Sequence, residues 1–370
     1  MKKIILSVCF LVIVCFARFA WAVDTNIFGV HVSGKGRLPG LMETLQDLNV
    51  KWIRVNCPLG DDDCPAEKYL QKGINVVITV INNDPTNMDT SFGGAENAGY
   101  PYRSRENYQN KVREIIRSLK PYLSHDRTIL MQCENEIGDA SMNPKSRYWR
   151  GTLDQYIQQM DAFYEAVKSV DPAIIVSLTS FPSESLDAVI DPGNQRHSYA
   201  VKKVTKLLSE GKYDAVDLHF YGCVEDISSK VHWVKAHMPV GKQWISTENG
   251  GPDFRCASTP LHYDDDPSQY EKIQAVQVVQ RLSACRDNGG SVCLWFSLAD
   301  LRKEVEAFRH MGLLDQSGLG SQKELIQEFK RKKRSSGKDF SVSEEQSDKM
   351  ASLLRKRPAY FAFKEFISDK

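Results

Sequence analysis

Residues 244–251 read WISTENGG, and residues 129–138 read ILMQCENEIG. Each is a short apolar run that delivers a carboxylate, Glu248 or Glu136, into a glycine-containing turn. Apolar runs of this length bounded by turn residues have the pattern of strands buried on both faces. Six further runs of the same kind begin at Ile27, Lys51, Ile74, Ala173, Ala215 and Ser291, which makes eight in all. Between them lie segments with helical periodicity. One places Val112, Ile115, Ile116 and Leu119 on a stripe; another does so with Ile157, Met160, Phe163 and Val167. A third, from Tyr270, ends at Gly289-Gly290, a C-terminal cap signal. Eight strands alternating with helices predict an α/β fold, a closed parallel (β/α)8 TIM barrel. An open doubly wound sheet is the alternative. It is disfavoured because no glycine-rich phosphate loop follows the first strand.

The ends of the chain are read apart from the barrel. Lys2 and Lys3, the apolar stretch Ile4 to Phe16 and the Ala20-Trp21-Ala22 site form a secretory signal peptide over residues 1–22. Residues 23–370 are then one catalytic domain, in a secreted or periplasmic protein. A composition of 42% hydrophobic and 26% charged residues is that of a globular chain, and a net charge of +1 gives no reason to expect a polyanionic partner. A basic insertion at about 320–347 carries Lys330-Arg331-Lys332-Lys333-Arg334. No aromatics interleave these charges, so it reads as a solvated insertion with no nucleic-acid role. Beyond the signal peptide no segment is long and apolar enough for stable membrane insertion. Cys57 with Cys64 and Cys223 with Cys256 are candidate disulfides of an oxidising compartment. Cys133, Cys285 and Cys293 read as buried hydrophobes. No cysteine pair has metal-ligand spacing, so neither a metal nor a cofactor is expected.

In a parallel barrel the C-terminal strand ends meet at one rim. Glu136, ending the fourth strand, and Glu248, ending the seventh, would face each other there. Two opposed carboxylates are what glycosidic bond cleavage needs. The arrangement resembles clan A of the retaining glycoside hydrolases, the family-five cellulase and mannanase group. In that clan an Asn-Glu pair ends the fourth strand, here Asn135-Glu136, and a Glu ends the seventh, here Glu248.

The resemblance implies that Glu136 is the general acid/base, that Glu248 is the nucleophile, and that Asn135 binds the sugar 2-hydroxyl. It further implies that Arg54 steadies the nucleophile and that Tyr221 hydrogen-bonds it. His219 would be a sugar or acid/base contact, and Trp295 the floor under the sugar. His31 on the first strand is a further candidate for the same pocket. The segments from His310 and from Arg357 resemble the clan's C-terminal closure, separated here by the basic insertion. An oligo- or polysaccharide substrate and a monomer are the expectations.

Other residues carry open readings. By strand alternation Glu134 shares the inward parity of Glu136 one layer deeper, as a buried carboxylate tied to Arg54 or as the acid itself; Glu136 is favoured because it follows an Asn and borders the turn. Trp52 and Trp244 read as core. Trp149 reads as a sugar platform or a loop anchor. The long segment from Asn82 to Arg105 offers Asn82, Asn83, Tyr100 and Tyr102 as substrate contacts. A carbohydrate-binding barrel without catalysis is the competing function.

Overall fold

The computed structural model describes residues 26–32, 38, 40–61, 64–301, 306–318 and 353–368. The signal peptide at 1–22 and the basic insertion at about 320–347 lie outside the described residues. Eight strands close into one barrel in sequence order, every pair parallel. They are β1 (Phe28–His31), β2 (Trp52–Pro58), β3 (Asn75–Ile81), β4 (Ile129–Cys133), β5 (Ile175–Phe181), β6 (Ala215–Leu218), β7 (Gln243–Asn249) and β8 (Cys293–Trp295). The closing β1–β8 seam pairs Phe28 with Cys293 and Val30 with Trp295. This is the (β/α)8 TIM barrel that the alternation of runs and helices predicts.

The helices between them are α1 (Leu41–Asp47), α2 (Glu67–Leu70), α3 (Arg105–Leu119), α4 (Leu153–Val170), α5 (Ser183–Ile190), α6 (His197–Glu210), α7 (Ile227–His237) and α8 (Pro267–Asp287). Their starts are fixed locally. Ser104 and Asp266 accept from the backbone N–H three residues on, and Thr152 with Gln155 forms a capping box. Val112, Ile116 and Leu119 of α3 and Met160, Phe163 and Val167 of α4 are buried, while Ile115 and Ile157 sit at the edge of the same stripes. Gly289, just past α8, has φ +80°, the left-handed conformation that glycine adopts without strain. After a short helix α9 (Glu306–Arg309), the antiparallel pair β9 (Leu314–Asp315) and β10 (Arg355–Lys356) leads into α10 (Pro358–Ser368). The last helix packs on α8 and is tied to α1 by Tyr360 and Lys364, which both bond Asp47.

The barrel interior is layered by the period-two alternation of its strands. Val77, Leu130, Ile245, Val292 and Leu294 form a small apolar cluster separate from the main core, with Trp52 and Ile175 against it. Two residues further along four of these strands stand Arg54, Thr79, Gln132 and Thr247, a polar layer. The main core lies instead between the barrel and its helices, and holds Trp244. At the base of β1 a Cβ on Gly29 would meet the carbonyl oxygen of Trp52 at 1.7 Å, so only glycine allows this close approach.

Both expected disulfides, Cys57–Cys64 and Cys223–Cys256, are present, and Cys133, Cys285 and Cys293 are free and buried. No helix of the described residues is long and apolar enough to cross a membrane.

Candidate active site

A cavity of about 630 Å³ opens at the C-terminal ends of the strands. His31, Arg54, Asn135, Glu136, Tyr221 and Glu248 all line it. Strand β4 ends at Cys133, and the chain then turns through left-handed backbone at Glu134 (φ 62°) and Glu136 (φ 41°). That turn places Asn135 and Glu136 on the lumen together, although they are sequence neighbours. Ser180 of β5 holds it, its hydroxyl donating to Asn135 Oδ1 (2.7 Å) and accepting from the Glu136 N–H (3.0 Å).

Glu248 is gripped on both oxygens. Arg54 Nη1 donates to Oε1 at 2.5 Å and the Tyr221 hydroxyl donates to Oε2 at 2.6 Å. Arg54 is 1% exposed and spends its remaining donors on Thr79, Gln132 and Asn135. His219 stands between the acids. Its Nδ1 lies 2.6 Å from Glu136 Oε1 and 3.4 Å from Glu248 Oε2, and its Nε2 lies 3.3 Å from Asp217 Oδ2 and 3.2 Å from Thr247 Oγ1. Asp217 is buried and also takes the Thr247 N–H and the Gln132 amide. It is anchored from β7 and β4 and in turn orients the imidazole.

This environment separates the two carboxyls. Burial alone would raise Glu248, but the charges of His219 and Arg54, with the Tyr221 hydrogen bond, overcome it and hold Glu248 at about 2. Glu136 moves the other way. Burial and the negative charge of Glu248 push its pKa up against the hydrogen bond and charge of His219. For His219 burial favours the neutral ring, but Glu248 and Asp217 outweigh it and raise its pKa to about 10, so the imidazolium donates from both nitrogens. Burial lowers His31 to about 4, leaving it neutral. Its Nδ1 has no hydrogen-bond partner among the described residues.

The nearest ligating atoms of Glu136, His219 and Glu248 all lie within 4.8 Å of one another. Such a cluster has the donor types to bind a cation. Here, however, Arg54 and the imidazolium already neutralise Glu248, so the set holds side by side one carboxyl kept charged and one that favours its proton. Breaking this network has a structural cost. Arg54→Met leaves the Glu248 carboxylate without its guanidinium and takes one donor each from Thr79, Gln132 and Asn135, and unfolding in denaturant is expected to show a loss of roughly 3–5 kcal/mol, the usual penalty for uncovering one half of a buried ion pair.

Several sequence expectations need correction. Trp295 is not a sugar floor. It is fully buried in the core and its indole N–H donates to the Met311 carbonyl at 3.0 Å. Phe296, one residue later, lines the cavity, because Val292 and Leu294 already face the barrel interior and alternation gives the next inward place to Phe296. Glu134 is neither bound to Arg54 nor inside the cavity. It is buried beside the barrel, accepting the Asn82 N–H and the Gln159 amide, and burial raises its pKa to about 8. The left-handed turn breaks the alternation assumed for it. Asn82, Asn83, Tyr100 and Tyr102 do not line the cavity; Asn82 bonds the Tyr100 carbonyl, Asn83 accepts from Gly60, and Tyr102 stacks on Tyr108. Trp149 is a buried anchor, its N–H on the Thr152 carbonyl. Asp217, Thr247, Ser180 and Phe296 were missed. The alternation Asp217-x-His219-x-Tyr221 was a signal for Asp217; Ser180 gave none.

The fold and the position of the site at the strand ends define the class as a (β/α)8 barrel with a polar rim. No protein-family model matches the chain, and no curated protein matches it by sequence. Solved structures do match. A glucosidase from Croceicoccus marinus is 14% identical with a TM-score of 0.53, over 82% of this chain and 67% of that one. An exo-beta-1,4-mannosidase from Opitutaceae bacterium strain TAV5 is 14% identical with a TM-score of 0.54, over 92% of this chain and 59% of its own. A GH53 catalytic domain from Ignisphaera aggregans is 16% identical with a TM-score of 0.51, over 80% of this chain and 93% of that one. The chain thus spans less than two thirds of the mannosidase. At these identities the likeness is one of fold.

Proposed function

We propose that the chain is a secreted retaining glycoside hydrolase that cleaves β-linked oligo- or polysaccharides by double displacement. Glu136 is the general acid/base and Glu248 the nucleophile. The observation that carries this is the pair of carboxyls with opposite protonation preferences and nearest oxygens no more than 4.8 Å apart. That spacing accords with the close carboxyl pair of retaining sites, about 5–5.5 Å, rather than with the roughly 6.5–9.5 Å of inverting ones. Glu248 attacks the anomeric carbon while Glu136 protonates the departing oxygen. Capture of the sugar removes the charge on Glu248. Glu136 then loses its proton more easily and deprotonates the incoming water.

The neighbours of the pair support the same roles. Asn135 has its Oδ1 taken by Arg54 and Ser180, which leaves its amide hydrogens for a sugar hydroxyl. Neutral His31, with Nδ1 unengaged, and Phe296 complete the pocket wall. Residues 23–370 act as one catalytic domain, and one chain supplies every group named, in keeping with a monomer. The N-terminal signal pattern and the two disulfides support export. That the similar structures include a glucosidase and an exo-beta-1,4-mannosidase accords with the reaction class.

The test is a screen of aryl β-glycosides and β-linked polysaccharides, followed by proton NMR of the first product from an active substrate. Initial release of the β-anomer, mutarotating later, is the expected result. Initial release of the α-anomer contradicts the two-step route.

A further inference from the structure

We propose that the half of the cavity beside Glu136 is a subsite for an anionic group, a carboxylate or a sulfate ester, on the leaving-group side of the saccharide. This rests on the glycosidase reading and names the kind of substrate it takes. The cavity is asymmetric. Tyr221, Phe296, Leu301 and Phe308 wall the Glu248 side, whereas Lys145, Arg147, Arg196 and Lys203 line it together with Glu136. These four cations come from the β4–α4 loop and from the start and body of α6, close to the strand that carries the acid.

Net charge does not explain the cluster, since the whole chain is at +1. Nor do local acids neutralise it. Among the described residues none of the four has a carboxylate within 4.0 Å, while the two acids nearby are occupied. Glu184 pairs with Arg255 at 3.3 Å. Asp139 accepts from Ser141 and from the Leu153 N–H. Lys203 is the deepest of the set, 5% exposed. Its ammonium donates to Ser185 Oγ at 2.9 Å and to the Ile137 carbonyl at 3.5 Å, one residue from the acid. Those are two neutral acceptors for three donors, so a hydrogen is left for a ligand. Burial lowers Lys203 to about 8, against the raising effect of Glu136 and Glu184, so the ammonium form still dominates at neutral pH. A buried cation held by neutral oxygens beside the reacting centre, with three exposed cations at the mouth, suits capture of an anion with a charge-assisted hydrogen bond at its base.

The experiment compares oligosaccharides of one glycone and linkage that differ only in the sugar on the leaving-group side: a neutral hexose, the matching uronate, and the matching sulfated hexose. The anionic substrates are expected to show kcat/KM higher by roughly tenfold, the value of one charge-assisted hydrogen bond, with the advantage shrinking as salt rises. A larger gain for the uronate than for the sulfate assigns the carboxylate; the reverse assigns the sulfate. Lys203→Met and Arg196→Ala should each reduce the anionic-to-neutral ratio, and Arg196 is exposed, so its variant is expected to fold even if Lys203→Met does not.

A wild-type ratio at or below one overturns the subsite, as does a ratio that neither substitution changes. Calorimetry of the same oligosaccharides on the wild-type protein separates the two readings. Preferred binding of the anionic form without turnover sinks the hydrolase and keeps the subsite, whereas turnover without preference does the opposite. Absence of both overturns both.

Discussion

Glu248→Ala is expected to lose roughly four orders of magnitude or more in kcat, because the variant has no group that can form the covalent intermediate. The fold should survive. Removing the carboxylate relieves Arg54 and His219 of a partner, yet Arg54 keeps Thr79, Gln132 and Asn135, and His219 keeps Asp217. In the proposed mechanism the space vacated is the one from which the anomeric carbon is attacked, and a small anion is attracted there by the same guanidinium and imidazolium. Added azide should therefore restore turnover of an activated aryl glycoside and yield a glycosyl azide of the opposite anomeric configuration to the substrate. Product NMR checks this. Wild-type rates in the variant would remove Glu248 from the mechanism.

Glu136→Ala should behave differently. General acid assistance supplies roughly 10²–10⁴-fold, so that loss is expected for substrates with poor leaving groups. An aryl glycoside whose phenolate departs unaided should still form the glycosyl-enzyme quickly, then stall for want of a base, giving a burst followed by a slow phase. Azide, attacking the intermediate, should give the retained configuration.

The pH profile follows from the two shifts. The proposed double displacement needs Glu136 protonated and Glu248 ionised, so kcat/KM should fall as pH rises through the elevated pKa of Glu136, and on the acid side only near about 2, where Glu248 takes a proton. In Glu136→Ala the alkaline limb belonging to Glu136 should vanish. In His219→Ala, where a positive charge close to both acids is lost, both pKa values rise and both limbs should move to higher pH. A limb that moves down would show that His219 is not charged.

Much of the barrel was readable because its signals are local. Eight apolar runs, capped amphipathic helices and the closely placed Cys57 and Cys64 each announce themselves over a few residues. Glu136 and Glu248 were readable for a related reason, since a strand end in a parallel barrel has a known location. The failures came where backbone geometry leaves the regular period. Glu134 and Glu136 were assigned one face by alternation, and two left-handed residues in a row of three put them on different ones. Trp295 is a different case: it was placed in the pocket on resemblance, against its parity, since Val292 and Leu294 face the barrel interior and Phe296 follows them. Ser180 was invisible because nothing in one strand records what its neighbour needs. The cationic wall was equally hidden, since its members lie as far apart in the chain as Lys145 and Lys203 and meet only at the rim.

The short antiparallel pairing of Asp315 with Arg355 has a consequence for how this chain can vary. The guanidinium of Arg355 bridges Asp315 and Glu271, so departure and return of the chain are clamped at one point on α8. A substitution such as Arg355→Ala removes both bridges at once, so the two ends at this point are held or released together.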